Sequence, residues 1–229
     1  MNARRITLTL VSLFLLPSLA LAQFESHGIY EVGVASTDLG SDGGSATPIY
    51  GVGAGATYGV GSVAGFPLVL GGDLIIRGFG LEIPNGVNLD GGVFDQTDVW
   101  LDEFVALRLG SLLAGIYVEH RNIDRSRAGT IGVPTTGLGA IVEAGDRTKL
   151  RITYASTVHG RLRVDGVASE PDVASGQSAR LTLTRVLTER WSGRVDVSYT
   201  NLELESTLPT LSFFDHTQTS FTLGLAVGF

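Results

Sequence analysis

The sequence contains no cysteine and one methionine, and past residue 23 it has no apolar run long enough to cross a membrane as a helix. The lack of cysteine excludes disulfide frameworks, thiolate metal sites and lipid attachment through an N-terminal cysteine. Positive charge is also scarce, with 16 Lys and Arg against 23 Asp and Glu. Two of the basic residues, Arg4 and Arg5, fall in the N-terminal segment, and without them 14 basic residues face 23 acidic ones, a net of −9. That balance disfavours nucleic acid as a partner, and no polybasic stretch suggests docking on an anionic membrane surface. Glycine is plentiful, at 31 of 229 residues. It has no G-X-Y period, which excludes collagen, and the valines, leucines and tyrosines between the glycines argue against disorder.

The start of the chain, MNARRITLTLVSLFLLPSLALAQ, reads as a secretory signal. Arg4 and Arg5 form its positive head and Ile6 to Leu16 its apolar stretch. Ala20-Leu21-Ala22 forms its cleavage site, with Ala20 and Ala22 as the small residues. The expected organisation is a signal peptide over 1–22 and one domain over 23–229.

Beyond that segment, apolar residues recur with period two, which sends alternate side chains to opposite faces of a strand. In YGVGAGATYGVG, Tyr50, Val52, Ala54, Tyr58 and Val60 share one face, with Gly51, Gly53, Gly55 and Thr57 on the other. The last run sets Phe221, Leu223, Leu225, Val227 and Phe229 opposite Thr222, Gly224, Ala226 and Gly228. Ten such strands are predicted, near 27–36, 49–61, 65–78, 98–109, 112–121, 136–145, 148–158, 178–187, 190–201 and 217–229. The eighth is the weakest, because Arg185 falls on its apolar face. Eight or twelve strands follow if that run or the long second loop is misread. Short links near Ser62-Val63, Gly110-Ser111, Asp146-Arg147 and Thr188-Glu189 alternate with long polar ones. In an antiparallel barrel this places every tight turn at one end and every long loop at the other.

The pattern resembles bacterial outer-membrane β-barrels, whose periplasmic turns are short and extracellular loops long. In architecture the chain is similar to the small barrels of the OmpA/OmpX type. Its last residues are similar to that family's C-terminal assembly signal, with Thr222, Gly224, Val227 and Phe229 in the matching places. The resemblance implies an all-β, closed antiparallel up-and-down transmembrane barrel in the outer membrane of a Gram-negative bacterium. It also implies insertion by the barrel assembly machinery, with outer-membrane lipid and lipopolysaccharide as surroundings. A monomer without cofactor or metal is expected.

On that reading Tyr50, Tyr58, Trp191, Tyr199, Phe221 and Phe229 lie on the outward face near strand ends, as an aromatic girdle does. The lumen then holds six acidic residues, Glu31, Asp73, Asp102, Glu119, Glu143 and Asp196. It also holds six basic ones, Arg77, Arg108, Arg121, Arg151, Arg180 and Arg194. So balanced an interior points to interlocked ion pairs rather than to a charge-selective filter. Ten strands lie nearer the side-chain-filled barrels of about eight strands than the open channels of about sixteen. The glycines of the second strand leave room for long arginines opposite or line a narrow passage.

The expected role is a structural or interaction protein with acidic loops carrying Asp38, Asp42, Asp172 and Glu203 among others. The alternatives are a narrow, porin-like channel for small solutes and a rim-sited hydrolase, resembling the omptin proteases or the lipid A-modifying enzymes. Four histidines, His27, His120, His159 and His216, bear on the last. Glu119-His120 and Asp215-His216 are sequence neighbours, so on a strand they point to opposite faces and make no dyad within themselves. No G-x-S-x-G is present, and no catalytic residues are assigned.

Overall fold

A computed structural model of the chain describes residues 24–38, 45–79, 96–124, 131–164, 172–204 and 216–229. The proposed signal segment with Ala20 and Ala22, and loop acids such as Asp42, lie outside the described residues. Eleven strands and no helix occur among those residues. They are β1 (Phe24–Asp38), β2 (Ser45–Val63), β3 (Phe66–Phe79), β4 (Gln96–Leu109), β5 (Leu112–Asp124) and β6 (Ile131–Ala144), then β7 (Thr148–Gly160), β8 (Arg163–Val164), β9 (Val173–Val186), β10 (Trp191–Leu204) and β11 (His216–Gly228).

Ten of them close a ring. Each pairs antiparallel with its neighbour in order, β7 pairs β9, and β1 pairs β11 to seal the cylinder. The two-residue β8 sits outside the ring and pairs only the first residues of β6. The strands are longer than period two alone suggested, because backbone pairing continues into the polar rims. The predicted loop from His159 to Gln177 shrinks accordingly: β7 runs to Gly160, β9 begins at Val173, and Arg161 and Asp172 form an isolated bridge between them.

One turn lies elsewhere than expected. The β2–β3 hairpin turns at Ala64-Gly65, not at Ser62-Val63. A register shift between Gly59 and Gly61 carries β2 two residues further. Ala64 and Gly65 then take positive φ of 51° and 85°, the left-handed pair that a two-residue hairpin loop needs.

The side chains are sorted inside out relative to a water-soluble domain. Tyr30, Val32, Val34, Ile116, Ile152, Leu223 and Leu225 stand exposed on the outer wall. Arg77, Asp98 and Asp196 are fully buried within. The interior is not purely polar or small, as alternation had suggested. Trp100, Phe104 and Tyr117 point inward, and Phe104 and Tyr117 pack with Val69, Leu113 and Ile141. Towards the long-loop end, Ile123, Val133, Leu162 and Leu202 form a second apolar cluster. These layers bracket the ionic one.

The inward glycines have a definite use. Glu31, Gly51 and Arg77 lie in one register line across β1, β2 and β3, and so do His27, Gly55 and Asp73. With no side chain on the middle strand, the two flanking polar side chains reach across and meet. A Cβ at Gly51 would stand 2.6 Å from the Glu31 carboxylate oxygen, and one at Gly55 would land on Asp73. Of the two uses foreseen for these glycines, they make room for charged side chains, acidic ones included.

Candidate functional site

The lumen is crossed by ion pairs that tie opposite walls together. Arg77 on β3 donates through Nε to Glu31 on β1 at 2.5 Å and through Nη2 to Asp196 on β10 at 2.9 Å. Arg180 on β9 holds Asp196 at 2.5 Å and Asp102 on β4 at 3.0 Å. Arg121 on β5 donates through Nε to Asp98 at 2.8 Å and also contacts Thr200 on β10. Arg151 on β7 bridges Glu143 at 2.7 Å and Asp73 at 3.2 Å. At the centre stands Trp100, with the guanidiniums of Arg121, Arg180 and Arg77 at 4.6, 5.1 and 5.4 Å from its ring. Cation–π attraction in so dry a place is worth about 2 kcal/mol for a well-placed pair.

All twelve predicted lumen charges lie on the inner wall, but not all are used alike. Glu119 takes its hydrogen bond from the Ser178 hydroxyl at 2.8 Å, and the Tyr117 hydroxyl, 2.5 Å from Asp102, stands 3.3 Å away. Arg108 forms no ion pair or hydrogen bond among the described residues. Two members escaped the sequence reading. Asp98 is the fully buried partner of Arg121 and lies on the same parity as Asp102, just before it on β4. Trp100, between them, was expected on neither list.

The ionic layer leaves little space. A void of about 10 Å³ lies among Asp73, Asp102, Tyr117, Arg151, Arg180 and Arg194, room for roughly one water. Below it, at the tight-turn end, a cavity of about 670 Å³ opens.

The C-terminal residues are tied into the ring. Thr222 is buried and its hydroxyl lies 3.2 Å from Glu31 Oε2. A Cβ on Gly224 would press on the backbone of Tyr30 and on Glu31. Val227 is half-buried on the outer wall opposite Gly28 and Trp191. Phe229 is exposed, with its backbone N–H bonded to Ser26 O at 3.0 Å. Tyr50, Trp191, Tyr199 and Phe221 are exposed on the outer wall, and Tyr58 is half-buried there. A shallow apolar groove of about 710 Å³ runs along that wall between Tyr30 and Tyr50.

The histidines diverge as their parities require. His27 faces inward, 3.3 Å from Asp73, and His216 is buried. His120 points outward, away from its neighbour Glu119, and finds a different carboxylate, Glu103 of β4, at 3.8 Å. Its Nδ1 lies 3.1 Å from Thr136 Oγ1 on β6, and His159 is the register partner of Thr136. Glu103 sits midway along β4 among Val99, Leu101, Val105 and Leu107. A charge on that apolar parity was the available signal for it. Among the described residues no group of three or more His, Asp or Glu side chains is placed to hold a metal ion.

No protein-family model matches the chain, and no curated protein matches it. Among solved structures it is similar to Neisserial surface protein A, at 12% identity over 91% of this chain and 99% of that one, with a TM-score of 0.39. It is also similar to the outer membrane phospholipase A of Escherichia coli, at 12% identity over 87% and 92%, with a TM-score of 0.39. OmpT of Vibrio cholerae matches at 10% identity over 93% and 99%, with a TM-score of 0.35. Scores this low give no register or residue correspondence, and neither the strand pairing nor the site above rests on them. The chain is a closed ten-stranded antiparallel β-barrel whose structural neighbours are outer-membrane β-barrels.

Proposed function

We propose that the protein is an integral outer-membrane β-barrel of a Gram-negative bacterium, a structural or interaction protein whose lumen is plugged rather than conducting. The inside-out sorting of side chains supports this reading. An apolar outer wall lowers the free energy only against hydrocarbon, and a closed ring leaves no unpaired strand edge there. A strand of about 13 residues rises roughly 43 Å, enough to cross a bilayer at the usual tilt. Charges gathered inside are joined wall to wall, so opening a path for solutes means breaking several buried ion pairs at once. Each costs about 3–5 kcal/mol to break by loss of one partner. The exposed residues Asp172 and Glu203 and the acidic loops would meet lipopolysaccharide and its divalent ions. The test is single-channel recording on the refolded protein in planar bilayers. A silent membrane is expected, and discrete conductance steps would overturn the plugged-lumen reading.

A second reading, a rim-sited hydrolase acting on outer-leaflet lipid, is favoured by the Glu103–His120–Thr136 row on the outer wall. A hydroxyl beside an imidazole beside a carboxylate is the arrangement that activates a nucleophile. It requires phospholipid or lipid A deacylation that disappears in Thr136→Val and His120→Ala.

A further inference from the structure

The cavity of about 670 Å³ at the tight-turn end is cup-shaped, opening among Phe24, Glu189, Arg190 and Phe229. Its rim carries the exposed Phe24, Glu189, Arg190 and Phe229, and its floor is reached at Arg151, Arg194 and Phe104. Beyond the floor lies the water-sized void of the ionic layer. A cup of this volume matches the size of ordinary small-molecule sites.

Its charge is uneven. Five cationic side chains line it, Arg108, Lys149, Arg151, Arg190 and Arg194, against three carboxylates, Glu25, Glu143 and Glu189. Arg151 is taken up by Glu143 and Asp73, and Lys149 stands 4.0 Å from Glu143. Three cations remain, of which Arg190 is exposed at the rim. Arg108 has no ion-pair or hydrogen-bond partner among the described residues. Arg194 is 7% exposed, and its Nε is buried without a partner. Its terminal nitrogens reach only to 4.0 Å from Asp73 and 3.5 Å from Asp196, outside the ordinary N–H···O range. A buried guanidinium with one donor unfilled and the others only loosely paired is costly to keep, and an oxyanion is the group that fills such a fork. The hydroxyl residues Thr184 and Ser192 line the same cup and can serve remaining anion oxygens.

We infer that this cup is a binding site for a small dianionic solute bearing phosphate or carboxylate groups, with Arg194 as the deep anchor and Arg108 as the second cation. The ligand enters from the tight-turn end and leaves by the same route, since the ionic layer closes the other side. The inference concerns the interior of the barrel and holds whether or not the loops bind anything.

The test is calorimetric titration of the full-length mature protein, refolded in a zwitterionic detergent, with inorganic pyrophosphate and separately with succinate. Saturable one-site binding of at least one probe is expected, and the tighter one identifies the ligand's anionic group. Arg108→Gln and Arg194→Gln should each weaken it by about tenfold or more, the loss of one charge-assisted contact. Arg190→Gln at the rim should change it less than threefold. Arg108 has no ion pair or hydrogen bond to lose among the described residues, so its variant folds even if that of Arg194 does not, and gel mobility before and after heating reports the folded barrel. No saturable binding of either probe at millimolar concentration would overturn the inference. So would binding that Arg108→Gln leaves unchanged.

Discussion

Arg77 gives the sharpest test of what holds the barrel shut. Its side chain is fully buried and reaches Glu31 at 2.5 Å, Asp196 at 2.9 Å and the Ser198 hydroxyl at 3.4 Å. Arg77→Met keeps most of the volume and removes the charge. Asp196 then still has Arg180 at 2.5 Å, but Glu31 keeps only the Thr222 hydroxyl at 3.2 Å. One buried carboxylate is orphaned, at a cost of about 3–5 kcal/mol. The lost stacking on Trp100 is the smaller part, up to about 2 kcal/mol in this dry site, and Arg121 and Arg180 remain over the ring. Adding Glu31→Gln removes the orphaned charge, so the double variant should recover about 2–3 kcal/mol of the loss. The assay is urea unfolding of the protein refolded into lipid vesicles, followed by the fluorescence of Trp100 and Trp191, with gel mobility as the second probe. A loss under about 1 kcal/mol for Arg77→Met, or single costs that simply add in the double variant, would refute the reasoning.

Three further outcomes follow from the same geometry. Gly51→Ala should lose about 1–3 kcal/mol in that unfolding assay, because its Cβ meets the Glu31 carboxylate that Arg77 holds in place. Gly59→Ala, where a Cβ meets nothing within 4 Å, should be near neutral, and equal costs at the two sites would sink the spacer role. Glu103→Leu should stabilise the barrel in vesicles by about 1 kcal/mol if its wall faces lipid, and a loss of stability would contradict that placement. Removal of Phe229 should slow insertion in cells while leaving refolding in detergent intact. Equal slowing in both would mean that its backbone bond to Ser26, not its recognition, matters.

The alternation of Tyr50, Val52 and Ala54 with glycines, and of Phe221 to Phe229 with small residues, depends only on the backbone's period of two. It was therefore legible without a fold. The same holds for the inward face on which charges such as Arg77 and Asp196 lie. The Ala64-Gly65 turn was not legible, because one irregularity between Gly59 and Gly61 slides the strand past the residues that look like a turn. Glu103 was legible as a charge on an apolar parity, but its partner His120 was not, since the tempting neighbour Glu119 faces the other way.

By itself the sequence determined that this chain makes strands with most charges on one face and apolar side chains on the other, because local stereochemistry alternates side chains whatever the partner strand. Only the tertiary structure decided which charge meets which. Arg77 and Asp196 lie 119 residues apart and come together because closure of the ring sets β3 opposite β10. Closure also decided that Arg108 and Arg194 would face an open cup, since Asp73 and Glu143 are held by Arg151 and Asp196 more closely by Arg180 and Arg77 than by Arg194.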